Sequence, residues 1–184
     1  MEELLPQAYL IGLIALLGIA AVVVGRQILR VRRDEVALAR LGGNGANDRD
    51  RPADAAGLYE LASVQLRKRL YGQAVDNLKL ALRRAESEKA PDEARALIEN
   101  ALGFGLAAQN QLPAAIRHYR AALRAKPDYP VALNNLAFAL EKQQKPDEAE
   151  ELYQRVLSLE PGNGTAGKRL KRLQARRAAG DKAA

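Results

Sequence analysis

The chain has 184 residues, no Cys, no Trp, one His, one Met and a net charge of +7. No Cys means no disulfide framework and no thiolate ligand or nucleophile, and a single His takes away most of the raw material for His-pair metal sites and Ser-His catalysis. With aromatic residues at 4%, the core has to be built from Ala, Leu, Val and Ile, which favours close-packed helices and an all-α fold.

The first element is apolar. Leu4 to Gly25 is a run of 22 residues without a charge, with LIGLIALLGIAAVVVG at its centre. As a helix it reaches about 33 Å, enough for a hydrocarbon core of about 30 Å. Pro6 stands near its start, where a missing N–H is tolerated. A cleaved signal would carry its basic residues before the apolar stretch. Here Glu2 and Glu3 precede it, and Arg26, Arg30, Arg32 and Arg33 follow. That order predicts a retained single-pass anchor with its N-terminus outside and the bulk of the chain in the cytoplasm or stroma. The four arginines are expected at the membrane surface, against lipid headgroups. Ile28, Leu29, Val31, Val36, Leu38 and Leu41 keep a helical spacing, so helix is predicted past the membrane to residue 41. Residues 42–54, GGNGANDRDRPAD, have the composition of a flexible linker.

A repeat follows. Residues 96–129 match 130–163 at an offset of 34: Leu102 with Leu136, Gly103 with Ala137, Ala115 with Ala149, Tyr119 with Tyr153, Ala122 with Val156, Pro127 with Pro161. The pattern also fits 55–88, through Leu58, Leu61, Ala62, Tyr71, Ala74, Leu78 and Ala81. Leu61 to Leu102 is 41 residues, so seven extra residues lie in RRAESEKAPDEARA. They are expected to lengthen the second helix of the first unit or its exit loop. Residues 164–184 hold seven Lys and Arg against Asp181, which is most of the excess charge. Ala166, Leu170 and Leu173 predict a terminal capping helix, solvated outside by Lys168, Arg169, Lys171, Arg172, Arg176 and Arg177. Neither basic cluster is interleaved with aromatic residues as a nucleic-acid groove would be, so nucleic acid is not an expected partner.

These residues resemble the tetratricopeptide repeat, a helix-turn-helix unit of 34 residues. Three units, 55–88, 96–129 and 130–163, are the minimum expected for a stable stack. Glu99, Gln65 and Val156 depart from the pattern at single positions. The resemblance implies that the first helices line a groove, through Tyr59, Ser63 and Leu66, then Asn100, Phe104 and Ala107, then Asn134, Phe138 and Glu141. Phe104 and Phe138 are the chain's two Phe residues and hold one repeat position. Beside Asn100 and Asn134 they suit an extended peptide or helix, the amides taking its backbone and the rings an apolar side chain. The alternative is that both rings are core. Asn135 is expected to be structural. The row lacks the Lys, Arg and Asn set by which chaperone-linked tetratricopeptide proteins clamp a carboxylate.

No catalytic constellation is apparent. His118 is expected to face solvent, without a partner for metal or base chemistry. Glu148, Glu150 and Glu151 are expected to form a solvated face. No cofactor or metal site is predicted, and an enzyme is not expected.

An acidic start, one span, GRQILRVRRDE, a linker, three repeats and a basic end are together similar to a narrower family. It comprises the membrane-anchored tetratricopeptide-repeat proteins of cyanobacteria and plastids that act in photosystem I assembly and stability. ENALGFGLAAQNQLPAAIRHYRAAL and PDYPVALNNLAFALEKQQ carry most of the resemblance. It implies a thylakoid protein with a lumenal N-terminus and repeats on the cytoplasmic or stromal side. It also implies a non-catalytic scaffold whose partners are photosystem I subunits or assembly intermediates. The alternative is a bacterial inner-membrane adaptor in secretion, envelope or cytochrome biogenesis.

Overall fold

The structure, a computed structural model, describes residues 4–42 and 54–180. The chain divides into two compact units, Met1–Asp50 and Arg51–Ala184. In the first, α1 (Leu4–Gly42) is a single helix of 39 residues, about 58 Å at 1.5 Å per residue. Its segment Gly12–Arg33 has a mean hydropathy of 2.1 and none of it is buried, so it is long and apolar enough to cross a membrane. Arg26, Arg30, Arg32 and Arg33 are all exposed. The expected linker lies outside the described residues between positions 43 and 53.

The second unit contains α2 (Ala55–Arg67), α3 (Tyr71–Ser87), α4 (Asp92–Ala108), α5 (Leu112–Ala125), α6 (Pro130–Lys142), α7 (Pro146–Leu159) and α8 (Gly164–Gly180). Every element among the described residues is a helix. Asp54 caps α2, accepting from the Gly57 N–H at 3.2 Å. The turns α2–α3, α4–α5 and α6–α7 are built alike. Arg69, Asn110 and Gln144 take left-handed backbone, at φ of 60°, 61° and 61°. The next N–H in each turn closes on the helix just ended: Leu70 on Gln65, Gln111 on Leu106, Lys145 on Leu140, at 2.8, 2.9 and 3.0 Å.

The seven extra residues of the first repeat are shared between two helices. α3 has 17 residues where α5 and α7 have 14, and α4 has 17 where α6 has 13. The α3–α4 connection, 88–91, is as short as the α5–α6 connection, 126–129. Three residues extend α3 and four extend α4, and the exit loop does not grow. Each helix of one antiparallel pair is thus longer by about one turn at the end where α3 meets α4.

Small residues set the spacing within and between the repeats. A Cβ on Gly103 would stand 2.7 Å from the ring of Tyr119, and one on Gly105 would stand 2.9 Å from Cγ2 of Val75. Ala62 and Ala137, at the position of Gly103, are fully buried. Leu78, Tyr119 and Tyr153 hold one repeat position in α3, α5 and α7, and all three are buried. The departures from the pattern are matched in pairs. Gln65 replaces a residue that is Leu106 and Leu140 in the later units, and it accepts from Asn77 at 2.9 Å in a buried contact. Glu99 replaces Leu58 and Leu133, and its Oε2 lies 2.7 Å from Nδ1 of His118. Asn77 and His118 occupy the same repeat position, where unit three has Leu152. His118 is therefore half-buried and partnered, not solvent-facing. A buried polar side chain in an apolar repeat is tolerated when the facing position supplies its hydrogen bond.

Candidate protein-binding groove

α2, α4 and α6 each pack on their own second helix and also touch one another in succession. That places the first helices on the inner side of the stack. Residues three and four apart share a helix face. Leu97, Asn100, Phe104 and Ala107 therefore form one stripe of α4, and Val131, Asn134, Phe138 and Glu141 the equivalent stripe of α6.

The stripe residues have distinct surroundings. Tyr59, Ser63 and Leu66 are half-buried. Phe104 is exposed at 44%. Phe138 is half-buried, with the Arg169 guanidinium 4.2 Å and the Lys142 ammonium 5.6 Å from its ring centroid. Asn100 is buried and already bonded. Its Oδ1 accepts from Asn135 at 2.9 Å and its Nδ2 approaches the Tyr129 hydroxyl at 3.4 Å. Asn135 is thus a strut between units. Oδ1 of Asn134 is buried without a partner.

Glu141 is not an open groove carboxylate. Arg169 Nη1 lies 3.0 Å from its Oε2, Arg172 reaches its other oxygen, and the Tyr153 hydroxyl donates at 3.4 Å. α8 does more than solvate its outer side. Arg169 and Arg172 hold α6, and Gln174 donates to Glu150 of α7 at 3.0 Å. The expected solvated acid face is also partly engaged, since Glu148 pairs with Lys145 and Arg120 at 3.0 and 3.2 Å.

The phenols report the same burial. Burial pushes the Tyr153 hydroxyl up to about 12, with Glu141 acting in the same direction and Arg169 against it. Tyr129 is also raised, by burial and by neighbouring Tyr59, against its bond to Asn100.

Two exposed residues escaped the sequence reading: Leu97 at 40% and Val131 at 52%. They hold one repeat position, three residues before Asn100 and Asn134, so helical spacing would have found them. Tyr129 escaped because it precedes α6 and has no helical register.

The tetratricopeptide-repeat family model matches residues 106–183. The chain is 31% identical to protein ycf37 of Guillardia theta over 176 residues, covering 96% of each protein. It is 32% identical over 169 residues to the chloroplastic tetratricopeptide repeat domain-containing protein PYG7 of Arabidopsis thaliana. That match covers 92% of this chain but 54% of PYG7, so the chain spans about half of that relative. Among solved structures, the first tetratricopeptide domain of Spaghetti (RPAP3), bound to the HSP90 peptide SRMEEVD, superposes with a TM-score of 0.62 at 21% identity. It covers 68% of this chain and 94% of that one, a likeness of fold. Repeats, fold and full-length similarity agree: the chain belongs to the tetratricopeptide-repeat family that contains the ycf37 proteins and PYG7.

Proposed function

We propose that the protein is a membrane-anchored, non-catalytic scaffold that captures a protein partner on its first helices and acts as an assembly or stability factor for photosystem I. The observation that carries the capture role is the exposed apolar set Leu97, Phe104 and Val131 on one stripe of α4 and α6. A folded repeat stack gains nothing by leaving large apolar side chains on its inner face, whereas a partner's apolar side chain would bury them. Tyr59, Ser63, Leu66, Asn134 and Phe138 complete the row, and Glu141 and Asn100 brace it. Support for a photosynthetic role comes from the likeness to PYG7, named chloroplastic, and from the sequence resemblance described above. The apolar part of α1 would anchor the chain in the thylakoid with a lumenal N-terminus. Arg26, Arg30, Arg32 and Arg33 would lie at the headgroups, 42–54 would act as linker, and the repeats would stand in the cytoplasm or stroma.

The test is affinity purification of tagged full-length protein from mildly solubilised thylakoid membranes, with mass spectrometry. Photosystem I subunits are expected in substoichiometric amounts, and Phe104→Ala is expected to release them. Enrichment of secretion, envelope or cytochrome-biogenesis components instead would discard the photosynthetic assignment and keep the scaffold.

A further inference from the structure

The second helices carry a charge pattern that the repeat itself does not impose. α2, α4 and α6 form the inner row, so α3, α5 and α7 turn their free faces outward. On α5, Arg117, Arg120 and Arg124 are spaced to share one face, and all three are exposed. Asp76, Lys79 and Arg83 hold the same repeat positions on α3 and are exposed too. On α7 those positions are Glu151, Gln154 and Ser158, again exposed. Second helices of two neighbouring units thus present five cations and one acid, and the patch stops at the third. Solvation alone does not select cations here, since the α7 set meets water equally well.

The patch is short of counter-charge. From Asn100 to Pro127 the chain has no Asp or Glu. Arg120 pairs with Glu148 of α7 at 3.2 Å, whereas Lys79, Arg83, Arg117 and Arg124 make no ion pair among the described residues. Arg117 to Arg124 spans about 10 Å along the helix, close to a Debye length of about 8 Å at physiological salt, so these cations act on a partner together. The patch also lacks an anchor for a protein. Neither α3 nor α5 exposes a large apolar side chain, and protein interfaces are centred on apolar or aromatic anchors. Separate cations on long side chains suit instead a sheet of many mobile anions, as a lipid surface is.

We propose that the outer face of α3 and α5 docks on the anionic lipid surface of the membrane in which the chain is anchored. Lys79, Arg83, Arg117 and Arg124 meet headgroup oxygens, and Arg120 marks the border towards Glu148. Eleven residues, 43–53, join α1 to the N-cap of α2, at most about 40 Å when extended. Anchoring therefore keeps this face near the bilayer, and a weak attraction per cation acts as an intramolecular one. The groove lies on the opposite side of the stack, so docking turns Leu97, Phe104 and Val131 towards the aqueous phase, where a partner arrives. The docking surface rests on the anchor reading of α1 and is independent of what the groove binds.

The test uses the full chain in lipid nanodiscs of phosphatidylcholine, with or without phosphatidylglycerol. The chain has no Cys, so Ser158→Cys places a single dye beside the patch, and Thr165→Cys places one on the inner side, at the repeat position of Val131. Both residues are exposed. Quenching by headgroup-labelled lipid reads how near each dye comes to the surface. Phosphatidylglycerol is expected to raise quenching at residue 158 and not at 165, and high salt to reverse it. Lys79→Gln, Arg83→Gln, Arg117→Gln and Arg124→Gln should each lower the docked-to-free ratio about five-fold, without moving the thermal melt, since all four are exposed. Quenching that ignores phosphatidylglycerol, or that survives the four substitutions combined, overturns the docking surface. If the combined variant instead loses an acidic protein from the affinity purification while its quenching is unchanged, the patch belongs to that protein and the lipid proposal is overturned. A chain that does not co-elute with discs of phosphatidylcholine alone removes the anchor reading and the docking surface with it.

Discussion

The guanidinium of Arg169 lies 4.2 Å from the centroid of the Phe138 ring, and its Nη1 lies 3.0 Å from Oε2 of Glu141. One side chain thus fastens α8 to α6 through a cation–π contact and an ion pair. The Glu141 side chain is only 10% exposed, so its charge depends on protein partners for solvation. Arg169→Ala is expected to destabilise the repeat unit by about 1–3 kcal/mol. Urea unfolding would measure the loss. Amide exchange should rise first in α8, the end of the stack.

The two Phe rings separate in the structure, although the sequence treats them as equivalents. Phe104→Ala should shift stability by no more than about 0.5 kcal/mol, as exposed positions do, while Phe138→Ala should cost about 1–2 kcal/mol through lost packing and cation–π contact. Thermal melts of the two single variants decide this. Equal losses would make Phe104 a core residue and remove it from the groove.

Gly103 and Gly167 predict opposite outcomes for one substitution. A Cβ at Gly103 would meet Tyr119 at 2.7 Å, whereas nothing lies within 4 Å of one at Gly167. Gly103→Ala is expected to destabilise by about 1–3 kcal/mol, because the buried Tyr119 ring must shift. Gly167→Ala should stabilise α8 by about 0.5–1 kcal/mol through helix propensity. Denaturation midpoints of both variants check the pair.

The left-handed turn residues make a graded series. Arg69 and Gln144 hold φ near 60° with long side chains, and Asn110 does so with the residue type that tolerates it best. Arg69→Gly and Gln144→Gly should each stabilise by about 0.5–1 kcal/mol, after the extra freedom of glycine in the unfolded chain is deducted. Asn110→Gly should change least. A melting series that ranks Asn110→Gly highest would contradict the strain argument.

The raised phenols predict alkaline instability. Tyr153 stays neutral in the fold to about 12, whereas an unfolded Tyr ionises near about 10. Above about 10 the unfolded chain has lost a proton that the native protein keeps, so stability falls as pH rises. This contribution is complete below about 10 and lost as pH climbs to about 12. Burial raises Tyr119 in the same direction. Urea midpoints across that range should drop, and Tyr153→Phe should flatten the drop by about 1.4 kcal/mol per pH unit. An unchanged slope would show that Tyr153 does not carry it.

Much of the fold was legible because it is periodic. A 34-residue offset in small and apolar positions announces paired helices, since each unit must bury the same face against the next. Val156 blurred one position of the pattern and is buried nonetheless. The placement of the seven extra residues was not legible, because three added to one helix and four to the next leave the same sequence as a longer loop. Leu97 and Val131 were legible in principle, at helical spacing from the two Asn residues. Tyr129 was not, because its approach to Asn100 crosses from a loop to a neighbouring unit.

The sequence by itself determined the apolar length and flanking charges of α1, the repeat period and the small residues that let helices approach. These properties follow from local spacing and composition, and each holds without knowing what faces what. Only the tertiary structure decided that His118 meets Glu99, that Glu141 is held by α8, and that Asn134 is left with an orphan acceptor. Charged and amide side chains reach across to whichever partner packing brings near, and that choice has no period in the chain. The role of α8 belongs to the same class: its basic composition reads as a solvated cap until its register shows which cations turn inward.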